Sequence, residues 1–245
     1  CVSHFCRNGS DLARAADIYG MNEDERWDTR TATEPIYGHR GHPGAGANCE
    51  RLMHFMTDAG GMMLRQEYDI EGYGKLDLRK YNASIGVKWG RSGVPLAVRK
   101  EAQKHQVIRS TRVTDREQLR AAYRNGLAAG GCSMIAFSRK RNEDGVSEVQ
   151  GSWAHAMMGI GFDERPDTIR KYGCPLVLEQ NSWGAWNSGP RKIRGTNLLI
   201  PKGSCWVKED DYVRRKIEAG SCFTFVGTRG WDVLRLDNMG FDAFG

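Results

Sequence analysis

Cysteine, histidine and asparagine occur along the chain in an order that suits nucleophilic catalysis. Cys1 and Cys6 stand at the start of the first amphipathic segment, His155 opens the run HAMMGIGFD, and Asn181 follows the apolar run PLVLEQ. A thiol nucleophile needs a histidine to take its proton, and the histidine needs a third group to orient it. The helix dipole also favours a thiolate at a helix N-terminus. These residue types indicate cysteine-based acyl transfer.

The stretch QNSWG places Asn181 two positions before Trp183. If two neighbouring strands carry His155 and Asn181, the asparagine oxygen can accept a hydrogen bond from the imidazole. Trp183 would then shield this hydrogen bond from water, which strengthens it. The simpler interpretation is an ordinary strand end, because Asn and Gly are common turn residues and Trp favours partly buried edges.

Several segments, in the same order, resemble papain-like cysteine peptidases. HAMMGIGFD resembles the family's His-Ala-Val-x-x-x-Gly-Tyr strand, and PLVLEQNSWGAWNSG resembles its Trp-x-x-x-Asn-Ser-Trp-Gly-x-x-Trp-Gly-x-x-Gly element. GSCWVKEDDY resembles a late strand of bacterial members. The resemblance implies a hydrolase that cleaves polypeptides through a thioester acyl-enzyme, with Cys1 as nucleophile, His155 as base and then acid, and Asn181 as orienting group. It implies neither a metal nor an organic cofactor.

The start of the chain departs from the best-known form of the family. CVSHF lacks the Cys-Gly-Ser/Ala-Cys-Trp/Tyr signature and resembles the looser Cys-Thr-Ala-His-Ala of microbial relatives. Cys6 is the alternative nucleophile, and the absence of any active nucleophile is a third interpretation. The family's oxyanion-hole Gln precedes the nucleophile, so we expect an upstream segment or a separate chain to supply it. A chain that starts at Cys1 without Met is expected to be a processed product or a fragment.

Two glycines in GHPGAGAN, Gly44 and Gly46, admit two interpretations. They are either ordinary loop glycines or a backbone wall that lets an extended substrate approach closely. His39 and His42 in GHRGH have no partner cluster that would indicate a metal site. Cys132, Cys205 and Cys222 occur in apolar surroundings and are interpreted as small buried hydrophobic residues.

Helical and strand-like segments divide the chain unequally. We expect helices in CVSHFCRNGSDLARAADIYG, CERLMHFMTDAGG, TDREQLRAAYRNG and KEDDYVRRKI, with a Thr114–Glu117 capping box starting the third. HQVIRSTRV, CSMIAFS and the later apolar runs are predicted strands. The prediction is an α+β, papain-like single domain over 1–245. Its mainly helical half (about 1–110) and β-barrel-like half (about 111–245) would meet at an interdomain cleft.

Composition limits the other classes of function. The chain has 245 residues, 40% hydrophobic and 27% charged, and no apolar run near the roughly 20 residues of a membrane-spanning helix. We therefore expect no membrane partner. The net charge of +6 is spread among acidic residues and no nucleic-acid-binding motif accompanies it, so a solvated basic surface is the favoured interpretation and a weak contact with nucleic acid or an acidic partner is the alternative. A papain-like module with a structural or binding role in a larger assembly, viral for example, is the alternative function. An acyl transferase on the same residues is another.

Overall fold

The structure is a computed structural model that describes residues 1–20, 29–134 and 136–229. Its helices are α1 (Val2–Gly20), α2 (Glu34–Gly38), α3 (Cys49–His54), α4 (Ala83–Ser92), α5 (Leu96–Ala102), α6 (Arg116–Arg124), α7 (Pro166–Tyr172) and α8 (Glu209–Tyr212). Short π-helical turns, Phe55–Ala59 and Val213–Glu218, extend α3 and α8. The strands are β1 (Glu67–Ile70), β2 (Gly74–Asp77), β3 (Gln106–Val113), β4 (Ala129–Met134), β5 (Ala154–Asp163), β6 (Leu176–Gln180), β7 (Ser204–Lys208) and β8 (Ser221–Arg229).

Six of these strands form one antiparallel sheet in the order β3-β8-β4-β5-β6-β7, while β1 and β2 form a separate hairpin. The predicted mixture of helices and strands is therefore present. The expectation of a barrel-like second half is wrong, because the sheet is open. Its two edge strands are β3 and β7. In a closed barrel β7 would pair with β3. Here the outer side of β7 instead forms one isolated parallel bridge, between Trp206 and Val146.

Helix α1 lies against the sheet and contacts β4, β5 and β8. Phe5 and Cys6 on its inner face are fully buried. At the closest approach, a Cβ atom on Gly9 would lie 2.4 Å from the Phe225 ring and 2.6 Å from the Met158 methyl group. A glycine here therefore lets the helix pack closely on the sheet, at the known cost of Gly within a helix.

The two faces of the sheet border different cores. On β5, Ala156 and Met158 belong to the core that also includes residues of α1 and α3, whereas Met157 belongs to the core on the opposite face. This division follows from the strand geometry, in which successive side chains point to opposite faces. His155 therefore lies on the same face of β5 as Met157, two positions away.

A disulfide bond between Cys49 and Cys132 joins the start of α3 to β4 across 83 residues of sequence. The interpretation of Cys132 as a small buried hydrophobic residue is therefore wrong, because its thiol is covalently paired. Cys205 and Cys222 are buried and unpaired as predicted, and burial raises the pKa of each thiol to about 12.

Within the described ranges, none of the helices has both the length and the apolar character needed to traverse a lipid bilayer.

Candidate active site

His155 is the second residue of β5, and the ladder of β4 and β5 fixes its position. It lies opposite Ser133 in the register, and the Ser133 hydroxyl donates to the His155 carbonyl at 3.2 Å. Only 6% of His155 is exposed. A buried residue in the interior of a sheet has little conformational freedom, so the backbone that carries the imidazole is held rigidly.

Asn181 follows the last residue of β6, the strand next to β5, as the sequence predicts. The structure brings its side chain to His155, with 2.9 Å between Asn181 Oδ1 and His155 Nε2. The same oxygen accepts the Ser182 N–H at 2.7 Å. Because a backbone N–H can only donate, it identifies this atom as the amide oxygen, and Nε2 must therefore carry the proton. The neutral imidazole then keeps Nδ1 as its acceptor nitrogen.

The surroundings of His155 act on its pKa in two directions. Burial lowers the pKa of the imidazole below its ordinary value, and the hydrogen bond with Asn181 raises it. The net direction is downward, because desolvation disfavours the charged form more than this hydrogen bond favours it. A neutral imidazole near pH 7 is the form needed to take a proton from a thiol.

Cys1 directly precedes α1, and its carbonyl accepts the Phe5 N–H at 2.9 Å. Its thiol is free and exposed. Cys1 and His155 line the same cavity, of about 320 Å³, which we call the Cys1 cavity. The rival Cys6 is fully buried, and burial raises the pKa of its thiol far above the ordinary range, so its thiolate is strongly disfavoured.

The two candidate glycines differ in position. Gly46 lines the Cys1 cavity in a left-handed conformation with φ +81°, and a Cβ built there would meet nothing within 4 Å. Gly44 is not among the residues that line this cavity, and its carbonyl instead accepts the Arg40 Nε–H at 2.9 Å. Of the two, the structure therefore brings Gly46 alone to the candidate site, and Gly44 has a loop contact.

Two indole rings contact the imidazole. The Trp183 ring centroid lies 4.6 Å from that of His155, and the Trp153 ring stacks on His155 at 5.1 Å with an interplanar angle of 3°. The two indoles also contact each other at 4.9 Å. Sequence analysis predicted Trp183 and missed Trp153. The pattern that identifies Trp153 is its position two residues before His155, since alternate residues share a face of an extended segment.

The disulfide-bonded Cys132 is another residue of the site that sequence analysis missed. It lines the Cys1 cavity together with Ser133, Ala154 and Gly220. No group of three or more His, Cys, Asp or Glu side chains suited to a metal ion occurs in residues 1–20, 29–134 and 136–229.

Comparison by sequence finds no matching family model and no matching curated protein. Comparison by structure finds xylellain, a cysteine protease from Xylella fastidiosa, with a TM-score of 0.56 and 15% identity over 93% of this chain and 79% of that chain. It also finds the proform of the Amb a 11 cysteine protease, a ragweed pollen allergen, with a TM-score of 0.50 and 15% identity over 93% of this chain and 58% of that chain. The predicted papain-like fold is thus confirmed.

Proposed function

We propose that the protein is a cysteine peptidase in which Cys1 is the nucleophile, His155 the general base and acid, and Asn181 the orienting residue. The hydrogen bond of 2.9 Å between His155 and Asn181, beside a cavity that also exposes the Cys1 thiol, carries the proposal. A papain-like fold with this side-chain arrangement supports a polypeptide as the substrate. Trp183 and Trp153 cover the imidazole and limit the access of water to its hydrogen bond.

The proposed reaction has two halves. In the first, His155 Nδ1 takes the Cys1 thiol proton, the thiolate attacks the peptide carbonyl carbon, and the imidazolium returns the proton to the leaving amine as the C–N bond breaks. The product is a thioester on Cys1. In the second, His155 takes a proton from water, the resulting hydroxide attacks the thioester, and the acid product leaves as Cys1 regains its proton.

Asn181 contributes by fixing which nitrogen of His155 is protonated. While Nε2–H donates to Asn181 Oδ1, Nδ1 is held as the acceptor, and the imidazolium that forms after proton transfer keeps the same hydrogen bond. An orienting group of this kind avoids the loss of reaction rate that a wrongly placed imidazole causes.

Two further elements of the site are proposals. Gly46 offers a wall without a side chain, along which an extended substrate can approach the Cys1 cavity. The oxyanion would be stabilised by a donor from a segment preceding Cys1 or from a separate chain, and loss of one such donor typically lowers the rate by about 10² to 10³-fold.

We also propose that residues 1–245 form one domain with a mainly helical half (about 1–110) and a mainly β half (about 111–245). One hydrophobic core contains residues of both halves, from Val2 to Phe225, which supports a single unit. Cys1 would come from the first half, and His155 and Asn181 from the second, so that the site forms where the halves meet.

Labelling with a thiol-directed epoxide of the E-64 type tests the proposed function. We expect one adduct on Cys1 by peptide mapping, lost in Cys1→Ala and strongly slowed in His155→Ala. Cys6→Ala is the matched control, and it should keep the adduct because the Cys6 thiol is buried.

The outcomes of this labelling distinguish the alternatives. An unlabelled Cys1 in the full-length protein would overturn the peptidase proposal and favour a structural or binding module. Labelling at a rate independent of His155 would remove the general-base role. Transfer of the acyl group to an added amine, in preference to water, would identify an acyl transferase on the same residues.

A further inference from the structure

A buried ion pair lies beside the candidate site. Lys216, in the π-helical turn after α8, donates to the Glu179 carboxylate of β6, and the two side chains are 1% and 0% exposed. Lys216 Nζ also donates to the Met157 carbonyl of β5 at 3.2 Å. One ammonium group therefore joins the strand that carries His155 to the strand that leads to Asn181.

The ion pair occupies the same face of the sheet as the candidate site. Glu179 lies on β6 two positions before Asn181, and Met157 lies on β5 two positions after His155. Alternate residues of a strand point to the same face and are about 7 Å apart. The pair is therefore one repeat of the strand away from the hydrogen bond between His155 Nε2 and Asn181 Oδ1.

The backbone ladder between β5 and β6 is short on the side of the site. Two register pairs connect the strands between the end of β6 and a register shift at Gly159–Gly161. Strand β6 ends at Gln180, so Asn181 lies beyond the ladder, and its N–H donates to the Gly203 carbonyl before β7 at 3.3 Å. Side-chain contacts between β5 and β6 therefore have a larger share in placing Asn181 than they would beside a long regular ladder.

The Glu179 carboxylate depends on Lys216. Its Oε2 atom is buried and, among the described residues, has no hydrogen-bond partner. Lys216 Nζ lies 4.7 Å from the centroid of the Tyr212 ring, a member of the apolar core on this face. A buried ion pair generally adds little net stability compared with apolar residues of similar volume. What it adds here is direction, because charge-assisted hydrogen bonds have a defined geometry that apolar contacts lack.

Lys216 also acts on the charge of the imidazole. Burial lowers the pKa of His155 and the hydrogen bond with Asn181 raises it, while the α-amino group of Cys1 and the Lys216 ammonium lower the pKa further by disfavouring a second positive charge. Arg139 is a further cation near the ring, because it lines a cavity that His155 also borders. Removal of the Lys216 charge should therefore raise the pKa of the imidazole.

We propose that Lys216 and Glu179 are positioning residues of the candidate site, whose ion pair holds β6 against β5 so that Asn181 orients His155. Both side chains are buried away from the substrate, so neither is a catalytic residue. The expected effect on reaction rate rests on the proposed function. The expected effect on which imidazole nitrogen carries the proton does not, since it follows from the contacts between the two strands.

The main test replaces the ion pair by apolar residues in one double variant, Lys216→Met with Glu179→Leu. Replacements of this kind are often neutral or stabilising, so we expect a folded protein whose unfolding midpoint is no lower than that of the wild type. We expect kcat/KM for a quenched fluorescent peptide to fall about 10- to 100-fold. The loss should appear in kcat rather than KM, because the substrate still binds while the imidazole is misplaced.

Nitrogen NMR of His155 measures the positioning without turnover. The wild type should show one tautomer, protonated at Nε2, and the double variant a mixture of both tautomers with a raised pKa. A changed tautomer supports the inference even when the epoxide leaves Cys1 unlabelled and the proposed function fails. A wild-type tautomer in the double variant marks the pair as purely structural and overturns the inference, whether or not Cys1 reacts.

Arg120→Met is the matched control. It removes an ion-pair partner, at 2.7 Å, from the equally buried Glu209 carboxylate on α8, the helix that leads into the turn of Lys216. The Glu209 N–H bonds to the Pro175 carbonyl, at the opposite end of β6 from the site. The control should keep the wild-type tautomer and kcat. If it changes the imidazole as much as the double variant does, any loosening of this segment suffices and the inference is overturned.

Glu179→Gln covers the case in which the double variant does not fold. It keeps the shape of the side chain and an acceptor oxygen for Lys216, but the hydrogen bond loses the negative charge of its acceptor. We expect a smaller admixture of the second tautomer and a smaller fall in kcat than for the apolar pair. In that case a wild-type tautomer in Glu179→Gln overturns the inference.

Discussion

The candidate site has two corners that are held in different ways. The His155–Asn181 corner lies within one sheet, where the ladders of β5 and β6 place both residues and a direct hydrogen bond joins them. The Cys1 corner is exposed, and it depends on the packing of α1 against the sheet. The first corner is fixed by local hydrogen bonds, and the second by tertiary contacts. The orienting pair should therefore survive changes that displace the nucleophile.

The largest expected effect concerns the disulfide that borders the Cys1 corner. Cys49→Ser removes a cross-link that closes a loop of 83 residues, for which the chain-entropy relation gives about 4 to 5 kcal/mol of lost stability. Urea unfolding with and without reductant measures this loss. Reductant should lower the unfolding midpoint of the wild type and leave that of Cys49→Ser unchanged. Equal responses of the two proteins to reductant would contradict the assignment.

Asn181→Ala breaks the more rigid corner. The imidazole loses the group that fixes its orientation, and kcat/KM should fall about 10²-fold, as expected for a misplaced catalytic group. Peptide hydrolysis measures the loss, and the unfolding midpoint controls for a general defect. Asn181→Asp, which keeps an acceptor oxygen, should recover part of the rate. A variant as slow as Asn181→Ala would show that the acceptor oxygen is not what matters.

Gly9→Ala tests the Cys1 corner alone. The added methyl group meets Phe225 and Met158 at less than 3 Å, so α1 must move away from the sheet or the two side chains must shift. Overpacking of this kind typically costs about 1 to 3 kcal/mol. We also expect slower epoxide labelling of Cys1 with an unchanged NMR signature of His155. Ala15→Gly is the control within the same helix, because it changes helix propensity without adding volume.

The smallest expected effect is a shift in pH dependence. Burial lowers the pKa of His155, so the neutral base persists to a lower pH than for a free imidazole of pKa about 6.5. Activity should therefore fall on acidification only below that value. In Asn181→Ala the hydrogen bond that raises the pKa is lost, so the acidic limb should move further down. NMR titration of the His155 ring protons measures both values, and an upward shift would reverse the argument.

Sequence analysis selected His155 and Asn181 because the runs HAMMGIGFD and QNSWG resemble papain-like elements, and the structure joins the two side chains by a hydrogen bond. Helices α4 and α5 were missed, since the segment from 73 to 104 has short apolar pieces without a clear period, and α4 contains Gly86 and Gly90. In α4 the side chain of Asn82 accepts the N–H groups of Ser84 and Ile85, a cap that the sequence pattern did not reveal.

The start of α6 lies one position later than the sequence pattern predicted. The predicted capping box began at Thr114, but the N-cap is Asp115, whose side chain accepts the Gln118 N–H at 2.9 Å. Gln118 in turn accepts the Thr114 N–H.

The disulfide partner of Cys132 was also beyond prediction, because the pairing of a cysteine depends on which distant segment the fold brings near. Such contacts have no local period or composition that identifies them.

The open sheet has a consequence for how copies of the protein meet in concentrated solution. Within the described residues, no strand pairs with the outer side of β3, which carries the exposed Ile108. An unpaired edge of this kind is a template for aggregation. Arg109 directly follows the apolar residue and Arg112 lies four positions after it, and both are exposed. Arg112 is ion-paired with Glu50 at 2.8 Å, so we expect chiefly the charge of Arg109 to repel a second copy of this edge and to oppose edge-to-edge self-assembly.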